Sequence, residues 1–136
     1  MHAKYRFELV RGEDRSIPFS FYYCYPSTRK QEAVVLNGLD FLVNVRDWQT
    51  NEVLAQLSSG NGKILLGNLE DLDFVQQKGD EDATALLVIF SHDVIEKFTG
   101  SRVFCELFAI SRDESREIRQ CLMVGEIKIL KGVDYV

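Results

Sequence analysis

Ser91, His92 and Asp93 stand side by side, and they are the residue types from which a nucleophile, a base and an orienting acid are made. Acyl transfer by such a set needs the base in hydrogen-bond reach of the nucleophile, with the acid behind the base. Adjacent residues do not turn their side chains on one another, and triads assemble from positions far apart in a chain. The triplet reads more simply as a helix start, with Ser91 as the cap and Asp93 in an acidic first turn. The other histidine, His2, sits next to the N-terminal methionine. No catalytic residue is assigned, and the chain is expected not to be an enzyme.

Metal chemistry has as little to build on. There is no C-x-x-C and no H-x-x-x-H, and two histidines with three cysteines are too few for a zinc site of the usual kind. Glu70-Asp71-Asp73 and Asp80-Glu81-Asp82 are acidic, yet they lack the liganding spacing of a helix-loop-helix calcium site and read as solvated loop charge. Gly60-Asn61-Gly62-Lys63 lacks the strand-loop-helix setting of a phosphate cradle and reads as a β-turn. Cys24, Cys105 and Cys121 lie in separate apolar segments and read as small buried hydrophobes in a reducing compartment. Cys105 and Cys121 could face each other if their strands pair, but even that would be incidental. The expectation is no cofactor and no metal.

What remains is a surface. Alternation from Ile17 onward puts Phe19, Phe21 and Tyr23 on one face, expected to be the core, and leaves Tyr22 and Tyr25 on the other. Trp48, the one tryptophan, follows a strand end at Arg46-Asp47. Tyr, Trp and Arg are the residues that anchor protein interfaces, because they bury large areas at low entropic cost. Tyr22, Tyr25, Arg46 and Trp48 are the candidate interface residues.

The elements that must carry these residues are strands. Tyr5, Phe7 and Leu9 alternate with Lys4, Arg6 and Glu8, and a turn at Arg11–Asp14 follows. A second strand is predicted over Ser16–Tyr25, starting at a sheet edge because Pro18 offers no ladder donor. Pro26–Glu32 is a polar loop, Ala33–Leu36 a short apolar run, and Asn37-Gly38 a turn. Phe41, Val43 and Val45 alternate along the next strand, which a hairpin loop at Gln49–Glu52 joins to Val53–Leu57. Ile64–Leu66 follows the glycine turn. Between Gly67 and Ala83 the chain is acidic and less regular, with a short strand expected around Leu69–Val75 and a loop tip at Gly79–Asp82. Ala85–Phe90 is near-continuously apolar, as in a central strand. One short helix is predicted over Asp93–Phe98, then two strands, Val103–Ser111 and Ile118–Ile129, flanking a charged loop at Arg112–Glu117.

Eight to ten short strands with one helix and no β-α alternation predict an all-β, mainly antiparallel domain, either a β-sandwich or a partly open barrel. With 136 residues it is one domain spanning 1–136, long enough to bury roughly two-thirds of its unfolded surface. The net charge of −5 works against general nucleic-acid affinity, which needs cations for phosphates. No apolar stretch is long enough to span a membrane, and the N-terminus carries charges where a secretory signal needs an apolar run.

The order of these elements resembles small tail and baseplate proteins of phages and prophages, in particular the N-terminal domain of the siphophage baseplate upper protein. The features that carry the resemblance are Phe7–Asp14, a strand ending in Arg-Gly-acidic-acidic, and the apolar strand Ile17–Phe21. Val35-Leu36-Asn37-Gly38, Phe41–Asp47 with its Val-Arg-Asp end, Val53–Leu57 and Gly60-Asn61-Gly62 before Ile64 follow in order. The terminal strands Phe104–Ser111 and Leu122–Ile129 end in Gly-Glu-Ile-Lys-Ile. Asn37 departs from the more usual acidic-Leu-Thr-Gly turn, and Gly67–Ala83 is longer and more acidic. The resemblance implies a β-sandwich that anchors other virion parts, with other tail or baseplate proteins, and copies of itself, as partners. It implies a virion component made in the host cytoplasm, and transfers no catalytic residue. The chain's end at Val136 fits a stand-alone module or adaptor. A small-ligand or carbohydrate-binding β-barrel, with an outward aromatic stacking on a sugar, is the alternative reading.

Overall fold

Ten strands and one helix make up a computed structural model that describes residues 3–68, 74, 82–113 and 116–132. In chain order the elements are β1 (Ala3–Val10), β2 (Arg15–Ser20), β3 (Tyr22–Tyr25), β4 (Lys30–Ala33), β5 (Asp40–Asp47), β6 (Val53–Ser58), β7 (Ile64–Gly67) and β8 (Ala85–Phe90). The helix α1 (His92–Glu96), β9 (Arg102–Asp113) and β10 (Arg116–Leu130) complete them. The expected strand around Leu69–Val75 and loop tip at Gly79–Asp82 fall, Phe74 and Asp82 aside, outside the described residues.

A five-stranded sheet in the order β1-β10-β9-β5-β6 packs on a three-stranded sheet in the order β2-β8-β7. Strands pair antiparallel throughout the described residues except β1, which runs parallel to β10. Among the described residues the five-stranded sheet ends at β1 on one side and β6 on the other, so the fold is an open sandwich rather than a closed barrel. β8 is central in its sheet, as its apolar run requires, and Pro18 lies on the edge strand β2.

Period-2 alternation builds the core. Phe41, Val43 and Val45 of β5, Val103, Cys105 and Leu107 of β9, and Met123 and Ile127 of β10 point inward, all essentially buried. Opposite them lie Leu86, Val88 and Phe90 of β8 and Phe19 of β2. Phe7 meets Phe90 across the layers at 5.8 Å between ring centroids, and Tyr5 closes one side on the edge of Phe19 at 5.7 Å. Gly125 faces this core at a point with no room: a Cβ there would sit 2.8 Å from Cys105 Sγ and 3.1 Å from Phe7 Cε1.

α1 and the turn after it close one end of the sandwich through Ile95 and Phe98. It is shorter than the predicted Asp93–Phe98, and Ser91 gives it no side-chain cap. Distant residues do the capping. Asp14 Oδ1 accepts the His92 amide at 2.7 Å, and the Arg11 guanidinium donates to the carbonyls of Phe98 and Gly100 at 2.8 and 2.9 Å. A carboxylate at the helix start and a guanidinium at its end both match the helix dipole.

Several expectations are corrected. The strand predicted over Ser16–Tyr25 is two strands in different sheets, broken at Phe21, and the alternation carries across the break only to half-buried Phe21. Tyr23 is therefore not in the core but 59% exposed. Lys30–Ala33, taken for loop and the start of an apolar run, is β4, which pairs with β3 alone as a separate two-stranded ribbon. Cys24 of that ribbon is exposed rather than buried. Cys105 and Cys121 do lie on paired strands, but the register sets Cys105 opposite Gly125 and Cys121 opposite Phe108. Burial pushes the Cys105 thiol up to about 12, so it is an inert core residue. The two terminal strands also reach into the expected Arg112–Glu117 loop, with Arg112 paired to Glu117.

Candidate functional site

The outward face of the five-stranded sheet carries the features that stand apart from ordinary strand cover. Along β9, Arg102, Phe104, Glu106 and Phe108 alternate with the buried Val103, Cys105, Leu107 and Ala109, so all four look outward. Register then lines up Arg6 of β1, Glu126 of β10, Phe104 of β9 and Arg46 of β5 in one row across four strands. The neighbouring row sets Lys4 opposite Val124, Val124 opposite Glu106, and Glu106 opposite Asn44.

Trp48 stands at the end of this row, just past β5. It is 46% exposed, meets Phe104 edge-on at 6.2 Å, and has the Arg102 guanidinium over its ring at 5.0 Å. That cation–π contact and the T-shaped pair hold an exposed indole in one orientation. Behind Trp48 the loop to β6 is held by Asp47. Its Oδ1 accepts the amides of Gln49 and Thr50, both at 2.9 Å, and its Oδ2 accepts the Thr99 hydroxyl at 2.7 Å. The Thr50 amide, the Thr99 hydroxyl and the Gln49 amide together lower the Asp47 carboxyl to about 2. Asn51 turns the same loop in the left-handed region at φ 64°, which asparagine tolerates.

The charges around the tryptophan are unequal. Glu126 lies between two guanidiniums, 3.3 Å from Arg6 Nε and 3.2 Å from Arg102 Nε. Arg46 is committed elsewhere, to Glu106 at 2.7 Å and to the Asn51 carbonyl at 3.0 Å. Lys4, Arg6, Trp48, Phe104, Val124 and Glu126 enclose a hollow of about 610 Å³ with an apolar floor and a basic rim. On the other side of Trp48 a polar hollow of about 430 Å³ is lined by Asp47, Thr99 and Ser101. The indole is a wall between an apolar recess with a basic rim and a polar hollow that holds both the Asp47 carboxylate and the Arg102 guanidinium.

The four candidate interface residues divide between two places. Arg46 and Trp48 share this sheet face, as expected of outward residues at a strand end. Tyr22 and Tyr25 are outward too, at 54% and 46% exposure, but they stand on the β3–β4 ribbon together with Tyr23. There Tyr25 donates its hydroxyl to Glu32 at 3.0 Å, and the carboxylate raises the phenol's pKa. Arg6, Arg102 and Phe104 were missed. The alternation of β9 was a signal for Phe104 and Arg102 facing outward, but only strand register brings them beside Trp48.

The Ser91-His92-Asp93 triplet does not assemble as a triad. His92 Nδ1 lies 2.9 Å from Asp14 and Nε2 lies 2.8 Å from Asp93, while Ser91 Oγ is 3.5 Å from Lys63 Nζ. The Asp14 hydrogen bond, then the charges of Asp93 and Asp14, raise the imidazole's pKa. The arrangement sets the imidazole between two carboxylates, which favours its protonated form, and ties the β1–β2 turn to the helix. Among the described residues no group of three or more His, Cys, Asp or Glu is placed to hold a metal ion, and no helix is long and apolar enough to cross a membrane.

No protein-family model and no curated protein sequence matches the chain.

Proposed function

We propose that this protein is a non-enzymatic adaptor of a phage or prophage tail, a rigid β-sandwich that joins other tail or baseplate proteins by burying surface. It is then a virion component made in the host cytoplasm, with copies of itself among its possible partners, and neither nucleic acid nor a membrane is required. The resemblance in element order supplies the setting. The observation that carries the reading is the face around Trp48: an exposed indole fixed by Arg102 and Phe104 on a five-stranded sheet whose other side is core. Large side chains already held in place lose little entropy on binding, which is how interface anchors work. A stable contact needs about 1,000 Å² in total, and the sheet face offers a continuous platform for it.

The test is co-expression with the products of the neighbouring genes, followed by size-exclusion chromatography. Trp48→Ala combined with Arg102→Ala should keep the β-sheet circular dichroism and lose the complex. Unchanged co-elution of the double variant with its partner would remove this face from the interface. The carbohydrate-binding alternative draws on the recess beside the exposed tryptophan. Against it, Arg102 already covers a face of the ring where a sugar would stack.

A further inference from the structure

We propose that the recess between Trp48 and the β1 edge receives an acidic segment of a partner protein, with an apolar or aromatic side chain seated on Phe104 and Val124 and carboxylates on Arg6, Arg102 and Lys4. This rests on the adaptor reading and goes further, in naming the chemistry of what docks. The argument is charge complementarity. The protein as a whole carries −5, yet the recess beside Trp48 is lined by two cations, Lys4 and Arg6, against the single carboxylate of Glu126. Arg102, which lines the hollow on the other side of the indole, shares that carboxylate. The neighbouring charges cancel, since Arg46 pairs with Glu106 and Glu8 stands opposite Lys128. Asp47, next to Trp48 in the chain, is already spent on two amides and a hydroxyl.

Glu126 is the informative residue. One carboxylate shared by two guanidiniums leaves each guanidinium with unused donors, and the fork of an arginine is suited to a second carboxylate. The side chain of Arg6 is 87% exposed, so it can swing onto an incoming acid without leaving a buried site. The same Glu126 disfavours a nucleic-acid strand, whose phosphates would track past a fixed negative charge in the middle of the patch. Phe104 and Val124 supply an apolar floor that a purely acidic segment would leave unused, which is why an apolar side chain belongs between the acids.

Trp48 is the chain's one tryptophan, so tryptophan fluorescence reports the surroundings of this indole, the recess among them. The probe is the blocked pentapeptide Glu-Asp-Phe-Asp-Glu, titrated into the whole protein at low salt. The expected result is a saturable change in Trp48 emission, weakened at least tenfold in Arg6→Gln and in Arg102→Gln and weakened several-fold between 50 and 500 mM salt, as for exposed charges about a Debye length apart. Lys-Lys-Phe-Lys-Lys should give no response, and Glu-Asp-Ser-Asp-Glu a markedly weaker one. Arg6→Gln is the cleaner variant, because Arg6 does not touch the indole. The proposal is overturned by no saturable change up to millimolar peptide, by equal responses to the acidic and basic peptides, or by saturation with oligothymidylate in place of peptide. Should the peptides fail while Trp48→Ala with Arg102→Ala still abolishes the partner complex, the adaptor reading stands and this one falls. If both fail, the face itself has been misassigned.

Discussion

Two groups of exposed aromatic rings are built in opposite ways. Trp48 and Phe104 stand on a five-stranded sheet whose other face is filled by Val45, Val103, Cys105 and Leu107. Tyr22, Tyr23 and Tyr25 stand on a ribbon of two four-residue strands, every residue of which is exposed. A lone two-stranded hairpin is marginal in water, since it has no buried face to offset the entropy of ordering it. Exposed rings on the sheet are presented by the whole domain's cooperativity, whereas those on the ribbon are presented by four ladder pairs and one turn. The first is a preorganised surface, and the second is a segment with no buried face of its own to hold it.

The largest effect that separates them is in the core. Phe90→Ala, which removes a ring packed on Phe7 beneath the sheet, should cost about 3–5 kcal/mol, read as a lower urea midpoint with an unchanged m-value. Tyr23→Ala on the ribbon should stay within about 0.5 kcal/mol of wild type in the same measurement. A core-sized loss from Tyr23→Ala would break the comparison, because it would mean that the ribbon is packed.

Next in size is Gly125→Ala. The added methyl meets Cys105 Sγ and Phe7 inside a filled core, and Cys105 is too short to swing away. Overpacking of this kind should cost about 1–3 kcal/mol in urea unfolding. The strain also pushes apart β9 and β10, the strands that carry Phe104 and Glu126, so a change in Trp48 emission should accompany the loss of stability. Unaltered emission would uncouple the recess from the core below it.

How far all this was legible depends on whether the signal was local. β8 could be read because Ala85–Phe90 is apolar at nearly every position, and β5 because Phe41, Val43 and Val45 alternate. The β3–β4 ribbon could not, because its strands hold no buried residue and so have no alternation to read. Alternation also misled at Tyr23: it continues in sequence through Phe21 while the chain leaves one sheet for another. The outward placement of Trp48, Arg46, Tyr22 and Tyr25 followed from their positions at strand ends and on the polar face. That Arg102, Phe104 and Arg6 gather at Trp48 depends on the β5–β9, β9–β10 and parallel β1–β10 registers, the last of which joins residues as far apart as Arg6 and Glu126. The helix cap failed for the same reason, since Ser91 has the right residue type and Asp14, 77 residues earlier, does the work.

Titration should tell the two regions apart at opposite ends of the pH scale. Asp47 is lowered from 3.8 to about 2, so its contribution is fully present above the unfolded value and is lost as pH falls from about 4 through 2. Its carboxyl carbon should titrate with a midpoint near 2 by NMR, and the Trp48 loop should loosen in that window. Tyr25 is raised above 10.0 by Glu32, so the ribbon's hydrogen bond is present below pH 10 and lost as pH rises through the folded value. In ultraviolet titration Tyr25 should ionise later than it does in Glu32→Gln. An Asp47 midpoint near 3.8 would show that the loop behind Trp48 is no better fixed than the ribbon.

The smallest effect is in the ribbon's own turn. Thr28 and Arg29 both donate to the Tyr25 carbonyl, at 3.2 and 2.8 Å, and this closure holds Arg29 at φ 53°. A side-chained residue in the left-handed region costs about 1–2 kcal/mol. Glycine removes that strain and adds about 0.5–1 kcal/mol of backbone entropy to the unfolded ribbon. The net gain for Arg29→Gly is about 0.5 kcal/mol, or roughly a twofold slowing of amide exchange at Tyr23 and Tyr25, with no change at Val88 or Leu107. Those core amides open only with the whole domain, so a local gain in the turn cannot reach them. If exchange at Val88 slowed in step with Tyr23, ribbon and sandwich would be one cooperative unit, and the tyrosines would be as firmly presented as the tryptophan.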